Sequence, residues 1–151
     1  MLVDIKEHNI KALSPDKKLF MEIPYKPNAA EIARKDIQTK KTGATKNILG
    51  YPCNEYKVTS KEQNTEISYW LADGNFDFFH ELLSTLNRKD NFPAYFMQLY
   101  NVDGTFPLLA IERTLQGEEK SRLEVTKLER KILDYSLFAV PKDYQKYATG
   151  R

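Results

Sequence analysis

The residues with the widest chemical scope in this chain are few and scattered. Cys53 is the only cysteine, and to act as a nucleophile it needs a neighbouring base that holds it as thiolate. The two histidines, His8 and His80, are far apart in sequence, and His80 falls among phenylalanines. A free cysteine more commonly packs as a small hydrophobe, and Cys53 is read that way. A single cysteine also excludes an internal disulfide and a cysteine-based zinc site, while two distant histidines make a poor metal centre.

Asp73-Gly74-Asn75-Phe76-Asp77 imitates the start of a calcium loop, but that loop needs Gly at its sixth position and Glu at its twelfth. The sequence supplies Phe78 and Ser84 there. An Asp- and Asn-rich helix N-terminus explains the same residues through capping and the helix dipole. No carboxylate pair stands at a spacing suited to acid–base work, and no glycine-rich loop is present to cradle a phosphate. No catalytic residue, metal ligand or cofactor is therefore assigned, and a non-enzymatic role is expected.

Recognition is better served by the aromatic window from Phe76 to Tyr100. Phe76, Phe79, Leu83 and Leu86 recur at helical spacing with Leu82 beside them, which predicts one face of a helix. The plain reading is the core face of a helix lying on a sheet. The window nevertheless carries a surplus: Phe78, Phe92, Tyr95, Phe96, Met97 and Leu99. Methionine and aromatic rings adapt to variable apolar ligands. Together with Phe79 and Leu83 they are the candidate lining of a groove for a hydrophobic ligand. The basic cluster Arg34, Lys35, Lys40, Lys41 and Lys46 has no interleaved aromatics and reads as a solvated face. An anionic lipid surface or another acidic partner is its alternative.

The elements that must position these residues are mostly strands. Leu2 to Ile5, Ile10 to Leu13 and Leu19 to Ile23 are short apolar runs separated by Asn, Asp, Ser and Pro, the pattern of an antiparallel meander. Pro24 ends the third or places it at an edge. Asn28 to Asp36 suits a short surface helix. Lys46 to Leu49 reads as a short strand, with a bend at Thr42-Gly43 and a kink at Gly50. Cys53 to Thr59 and Thr65 to Leu71 alternate with period two and form the best-defined hairpin. Phe92 to Val102 is ambiguous between helix and strand. Asp103-Gly104 turns into a strand from Phe106 to Leu115, whose partner runs from Ser121 to Leu133. Asp134 to Phe138 suits a helical turn, and Val140-Pro141 with Tyr144 packs the end. Seven or eight strands and one firm helix are expected.

Bulk properties agree with one domain over 1–151. The chain is 41% hydrophobic, 29% charged and 12% aromatic, which is globular rather than disordered material. Its net charge of +2 leaves no nucleic-acid footprint. No run approaches the roughly 20 apolar residues that span a bilayer, and no basic segment leads into an apolar run as a signal peptide would.

The pieces Thr42-Gly43, Lys46, Ile48-Leu49-Gly50-Tyr51, Cys53 and Tyr56 give the pattern T-G-x-x-K-x-I-L-G-Y-x-C-x-x-Y. With Trp70-Leu71, Pro107-Leu108, Glu124-Val125-Thr126-Lys127, Asp134, Leu137-Phe138, Val140-Pro141 and Tyr144, it resembles a family of uncharacterised bacterial exported proteins. The opening runs, Leu2 to Asp4, Ser14 to Lys18 and Met21 to Pro24, look like the family's first hairpin units. That family is similar to the lipoprotein-carrier domains of the LolA and LolB type. The resemblance implies a curved antiparallel half-barrel, mainly β with some α, covered on its concave face by one or two helices. It implies a periplasmic or exported location, and leaves open whether this start is native to a shortened domain or a leader and first strands are missing. It also implies an acyl chain, lipoprotein or apolar peptide as ligand, with peripheral membrane contact left open and no nucleic acid. A protein-interaction module of the cell envelope is the alternative. The oligomeric state is left open.

Overall fold

A computed structural model of the chain describes residues 1–25 and 36–148. Strands β1 (Leu2–Asp4), β2 (Asn9–Ser14) and β3 (Leu19–Ile23) form an antiparallel meander, as their run lengths and turn residues predict. A strand that the sequence does not reveal, β9 (Gln145–Lys146), adds to β3 in parallel. Its anchors are Gln145 N donating to Lys18 O at 2.9 Å and Tyr147 N donating to Phe20 O at 2.7 Å.

The remaining strands form a second, antiparallel sheet in sequence order: β4 (Gln38–Ile48), β5 (Tyr51–Ser60), β6 (Thr65–Asp73), β7 (Thr105–Arg113) and β8 (Glu119–Glu124). Between β6 and β7 lie α1 (Phe78–Leu86) and α2 (Asn91–Phe96). Among the described residues there are thus two open sheets, two α-helices and a short 3-10 turn over Tyr135–Phe138, and neither sheet closes into a barrel. The single sheet expected from the sequence is corrected to two. Pro24 lacks an N–H and ends β3, and β4 begins only at Gln38, too far on for a hairpin connection. The helix expected over Asn28 to Asp36 lies almost wholly outside the described residues.

Three further expectations change. Lys46 to Ile48 is the end of one long strand rather than a strand of its own, and Leu49 lies beyond it. Gly43, with φ +82°, sits within β4 where its pairing to β5 slips between Lys41 and Thr45. Gly50 is not a kink: Ile48 pairs with Tyr51, and Leu49 and Gly50 form a two-residue turn with φ of 51° and 82°. Positive φ at both central residues is the mark of a type I′ hairpin. The signal was hidden because leucine stands where asparagine usually does. The strand expected over Ser121 to Leu133 stops at Glu124. Beyond it Val125 donates one last bond to Leu108 O at 2.9 Å, and Val125 and Leu128 then turn inward onto a core cluster. The apolar residues on both parities of that run mark this change of role.

The main core lies between the second sheet and its helices. Cross-strand partners share a face, so Val58 with Ile67, Tyr56 with Tyr69, and Tyr69 with Ala110 point the same way. Val58, Ile67, Tyr69 and Ala110 cluster there with Tyr95, Phe96, Leu99 and Val102. One step out of phase, Cys53 and Ala72 join Phe76 and Leu108 in a smaller cluster. Leu108 reaches it because β7 bulges: Trp70 pairs with Leu109 but Leu71 with Pro107. Pro107 has no N–H, and a bulge is where an inner strand tolerates that.

Leucine at positive φ is strained by roughly 1–2 kcal/mol, and Leu49 is 44% exposed. Leu49→Asn therefore stabilises the protein by up to about 1 kcal/mol, and Gly50→Ala destabilises it by about as much. Urea unfolding monitored through Trp70 measures both.

Candidate functional site

The strongest candidate is an apolar recess of about 380 Å³ between the second sheet and its helical cover. Its floor is Tyr69 on β6 and Ala110 on β7, which are cross-strand neighbours. Helix α1 contributes Phe79 and Leu83, and α2 contributes Phe92, Pro93 and Phe96. Phe106 and Pro107 close one end, while Leu123, Glu124 and Val125 line the side towards β8. Arg88 and Asp90, from the link between the helices, complete the lining.

Helix α1 is placed by its apolar stripe. The ring of Phe79 meets Phe96 edge-on at 5.1 Å between centroids and Phe106 at 4.7 Å, distances at which tilted aromatic pairs attract. Asp77 precedes the helix as its N-cap but forms no side-chain cap bond, so the expected capping role is not seen. At the C-terminus Asn87, in the left-handed region at φ 45°, donates its N–H to Leu83 O and stops the helix. Buried Thr85 is held from the first sheet, its Oγ1 lying 3.0 Å from His8 Nδ1.

Helix α2 has only six residues and is far too short to be stable alone. Side chains fasten it at both ends. Tyr69, 1% exposed, donates its hydroxyl to Phe92 O at 2.5 Å and sets its ring edge-on to Phe96 at 5.6 Å. Burial holds the Tyr69 phenol well above its ordinary pKa, so it remains a donor at any physiological pH. At the start of the helix Asn91 Nδ2 donates to Glu112 Oε1 at 3.0 Å. Glu112, 7% exposed, is the one buried acid among the described residues. Ser121 Oγ donates to its other oxygen, and Lys120 pairs with it at 3.3 Å. A buried carboxylate is tolerated only when bonded in this way.

Of the eight residues singled out from the sequence, the structure brings Phe79, Leu83, Phe92 and Phe96 together around the recess. It does not bring the other four there. Tyr95 is fully buried and Leu99 nearly so, both in the main core. Phe78 is 45% exposed on the outside of α1, 6.2 Å from Phe106. Met97 is half-buried at the C-cap of α2 and outside the lining. Sequence reasoning missed Tyr69 and Ala110, although period two had already put Tyr69 on a face with Ile67 and Leu71. It also missed Phe106, Leu123 and Val125, which only the register of β7 with its neighbours aligns with the helices.

Cys53 is 1% exposed, packs in the smaller cluster, and points its thiol at Tyr51 O, 3.4 Å away. Burial pushes that thiol up from its ordinary pKa, the opposite of what a nucleophile needs. Among the described residues no group of three metal-binding side chains converges, and no helix is long and apolar enough to cross a membrane.

Fold and recess together define a mainly β domain with a helical cover and an apolar cleft beneath it. The chain belongs to the DUF4412 family, a domain of unknown function whose model matches residues 1–144. Comparison with curated proteins and with solved structures found no match.

Tyr69→Phe keeps the buried ring but removes the hydroxyl that donates to the Phe92 carbonyl. It lowers stability by about 1 kcal/mol and loosens α2 first. Amide exchange at Met97, whose N–H donates to Pro93 O within α2, rises more than exchange in β5.

Proposed function

We propose that this domain is a non-enzymatic binder of a small hydrophobic ligand, and that the recess under α1 and α2 is its site. One observation carries the reading: about 380 Å³ of apolar space lies next to a well-packed core. Interiors normally close such space, because every unfilled contact forfeits dispersion energy. Ligand pockets begin at about this size and share its mainly apolar lining with a few polar groups at the edge. The resemblance of the sequence pattern to an exported family, itself similar to carrier domains of the LolA and LolB type, is in keeping with the same reading. It adds a place in the bacterial cell envelope and an acyl chain or apolar peptide as cargo.

The test is an uncharged dye that fluoresces in apolar surroundings, with native mass spectrometry of the purified protein for co-purified ligand. Dye binding saturates at one site, and Leu83→Trp, which grows into the recess, weakens it by about tenfold. If the wild-type protein neither binds the dye nor carries an apolar ligand, the reading is abandoned.

A second reading, a protein-interaction module, draws on the segment after β8. Ile132, Tyr135, Leu137 and Phe138 are 60–102% exposed, and contiguous exposed apolar surface marks interaction sites. The sheet edges are less suited to that role. The β4 edge carries Lys40, Lys41 and Lys46 and a register slip, devices that discourage strand addition. Under this reading sedimentation shows self-association or a stable partner complex that Tyr135→Ser with Phe138→Ser abolishes without loss of dye binding. A concentration-independent monomer that captures no partner counts against it.

A further inference from the structure

The chain between β8 and β9 carries apolar residues that neither core cluster uses. From Glu129 to Ala139 every residue is exposed. Within that run Ile132, Leu133, Tyr135, Leu137 and Phe138 are 45–102% exposed, and contiguous apolar surface of this kind marks a contact site. The loop is nevertheless held at both ends. Leu128 packs on the smaller cluster, and Arg130 donates to Gly74 O with its guanidinium 5.1 Å from the centre of the Phe76 ring. On the far side Gln145 is bonded to Lys18 of the first sheet. The tip has a shape of its own as well: Asp134 Oδ1 accepts the Ser136 N–H at 2.8 Å, and Leu137 donates to Asp134 O at 3.1 Å. The apolar side chains are thus presented by a scaffold.

Two features choose the partner. The first is the backbone. The N–H groups of Ser136, Leu137 and Ala139 are already spent inside the turn, and Pro141 has none. A partner that adds a strand needs such donors free, whereas an apolar phase needs them satisfied beforehand. The second is charge. Between residues 127 and 142 the cations Lys127, Arg130, Lys131 and Lys142 outnumber the acids Glu129 and Asp134. Lys127 and Lys131 share Glu129, and the next acid, Asp143, is matched by Lys18 at 2.9 Å. Aliphatic and aromatic side chains flanked by an excess of cations suit the surface of an anionic bilayer, where rings sit at headgroup level and lysines meet anionic lipid. We infer that this loop docks the domain on an anionic lipid bilayer, its apolar side chains entering the interface and its lysines lying against the headgroups. The surface stands apart from the recess and does not depend on it.

The experiment is co-sedimentation of the whole chain with vesicles of phosphatidylcholine alone and with about one-quarter phosphatidylglycerol. The protein binds the anionic vesicles more tightly, and about 1 M salt, where screening acts within about 3 Å, removes the difference. Tyr135→Ser with Phe138→Ser weakens binding by about tenfold or more, while Lys142→Gln weakens it by up to about fivefold on anionic vesicles only. These side chains are exposed, so an unchanged unfolding midpoint shows that the variants fold. Phe138→Trp adds a second tryptophan to Trp70, and lipids brominated in their chains quench this variant more than the wild type. Dye binding in the recess is unaffected by the serine pair, so the two sites fail or stand separately. Three results overturn the inference: no binding to either vesicle, equal binding to both, or binding that the serine pair leaves intact. Loss of vesicle binding in Leu83→Trp would move the lipid contact to the recess and overturn it too. Self-association that the serine pair abolishes, without vesicle binding, assigns the loop to a protein interface instead.

Discussion

The fold beneath the helices depends on one buried hydrogen bond, from the Tyr69 hydroxyl to the carbonyl of Phe92. Tyr69 sits on a central strand, and its ring is completely covered. A phenol so placed must find an acceptor or lose a few kcal/mol, and Phe92 belongs to a helix that has no stability of its own. The bond settles both needs at once. It fixes where α2 crosses the sheet, and with it the positions of Phe92 and Phe96. Glu112 repeats the arrangement one residue earlier in α2, since Asn91 must sit within reach of a carboxylate that burial forbids to stand alone.

Given that anchor, the recess follows from lengths. Strands of nine to eleven residues such as β4, β5 and β6 run about 30 Å, and five of them side by side span about 19 Å. Helices of nine and six residues are about 14 Å and 9 Å long. They cannot roof the whole face. The recess is bordered by β8, where Leu123 pairs with Ala110. Such a gap is open to solvent and is large enough to admit an apolar group. A tight core of Tyr95, Leu99 and Val102 beside it shows that the chain can pack densely where the cover reaches.

How far the sequence could be read divides along physical lines. The hairpin of β5 and β6 was legible because its alternation is clean and its turn is polar. The boundaries of β1 to β3 were legible for the same reason. The turn at Leu49-Gly50 was not, since its geometry depends on φ at a residue type that normally avoids it. The end of β8 was not, because Val125 and Leu128 leave the ladder to pack on Cys53's cluster rather than meeting any turn signal. Of the aromatic window, helical period found Phe79 and Leu83 but could not separate lining from core in the ambiguous run that follows. Phe96 lines the recess while Tyr95, its neighbour, is sealed away. Both are aromatic, and only the direction of each side chain from α2 distinguishes them.

By itself the sequence determined the class of fold, mainly β with a helical insertion, because local alternation and turn chemistry act over a few residues. It determined that Cys53 is packing material and that aromatic surplus gathers between Phe76 and Tyr100. Only the tertiary structure decided that the strands divide into two sheets, since Gln145–Lys146 joins β3 from the far end of the chain. Only it decided that a recess exists. Cores and clefts are built from the same side chains, and register and helix length choose between them.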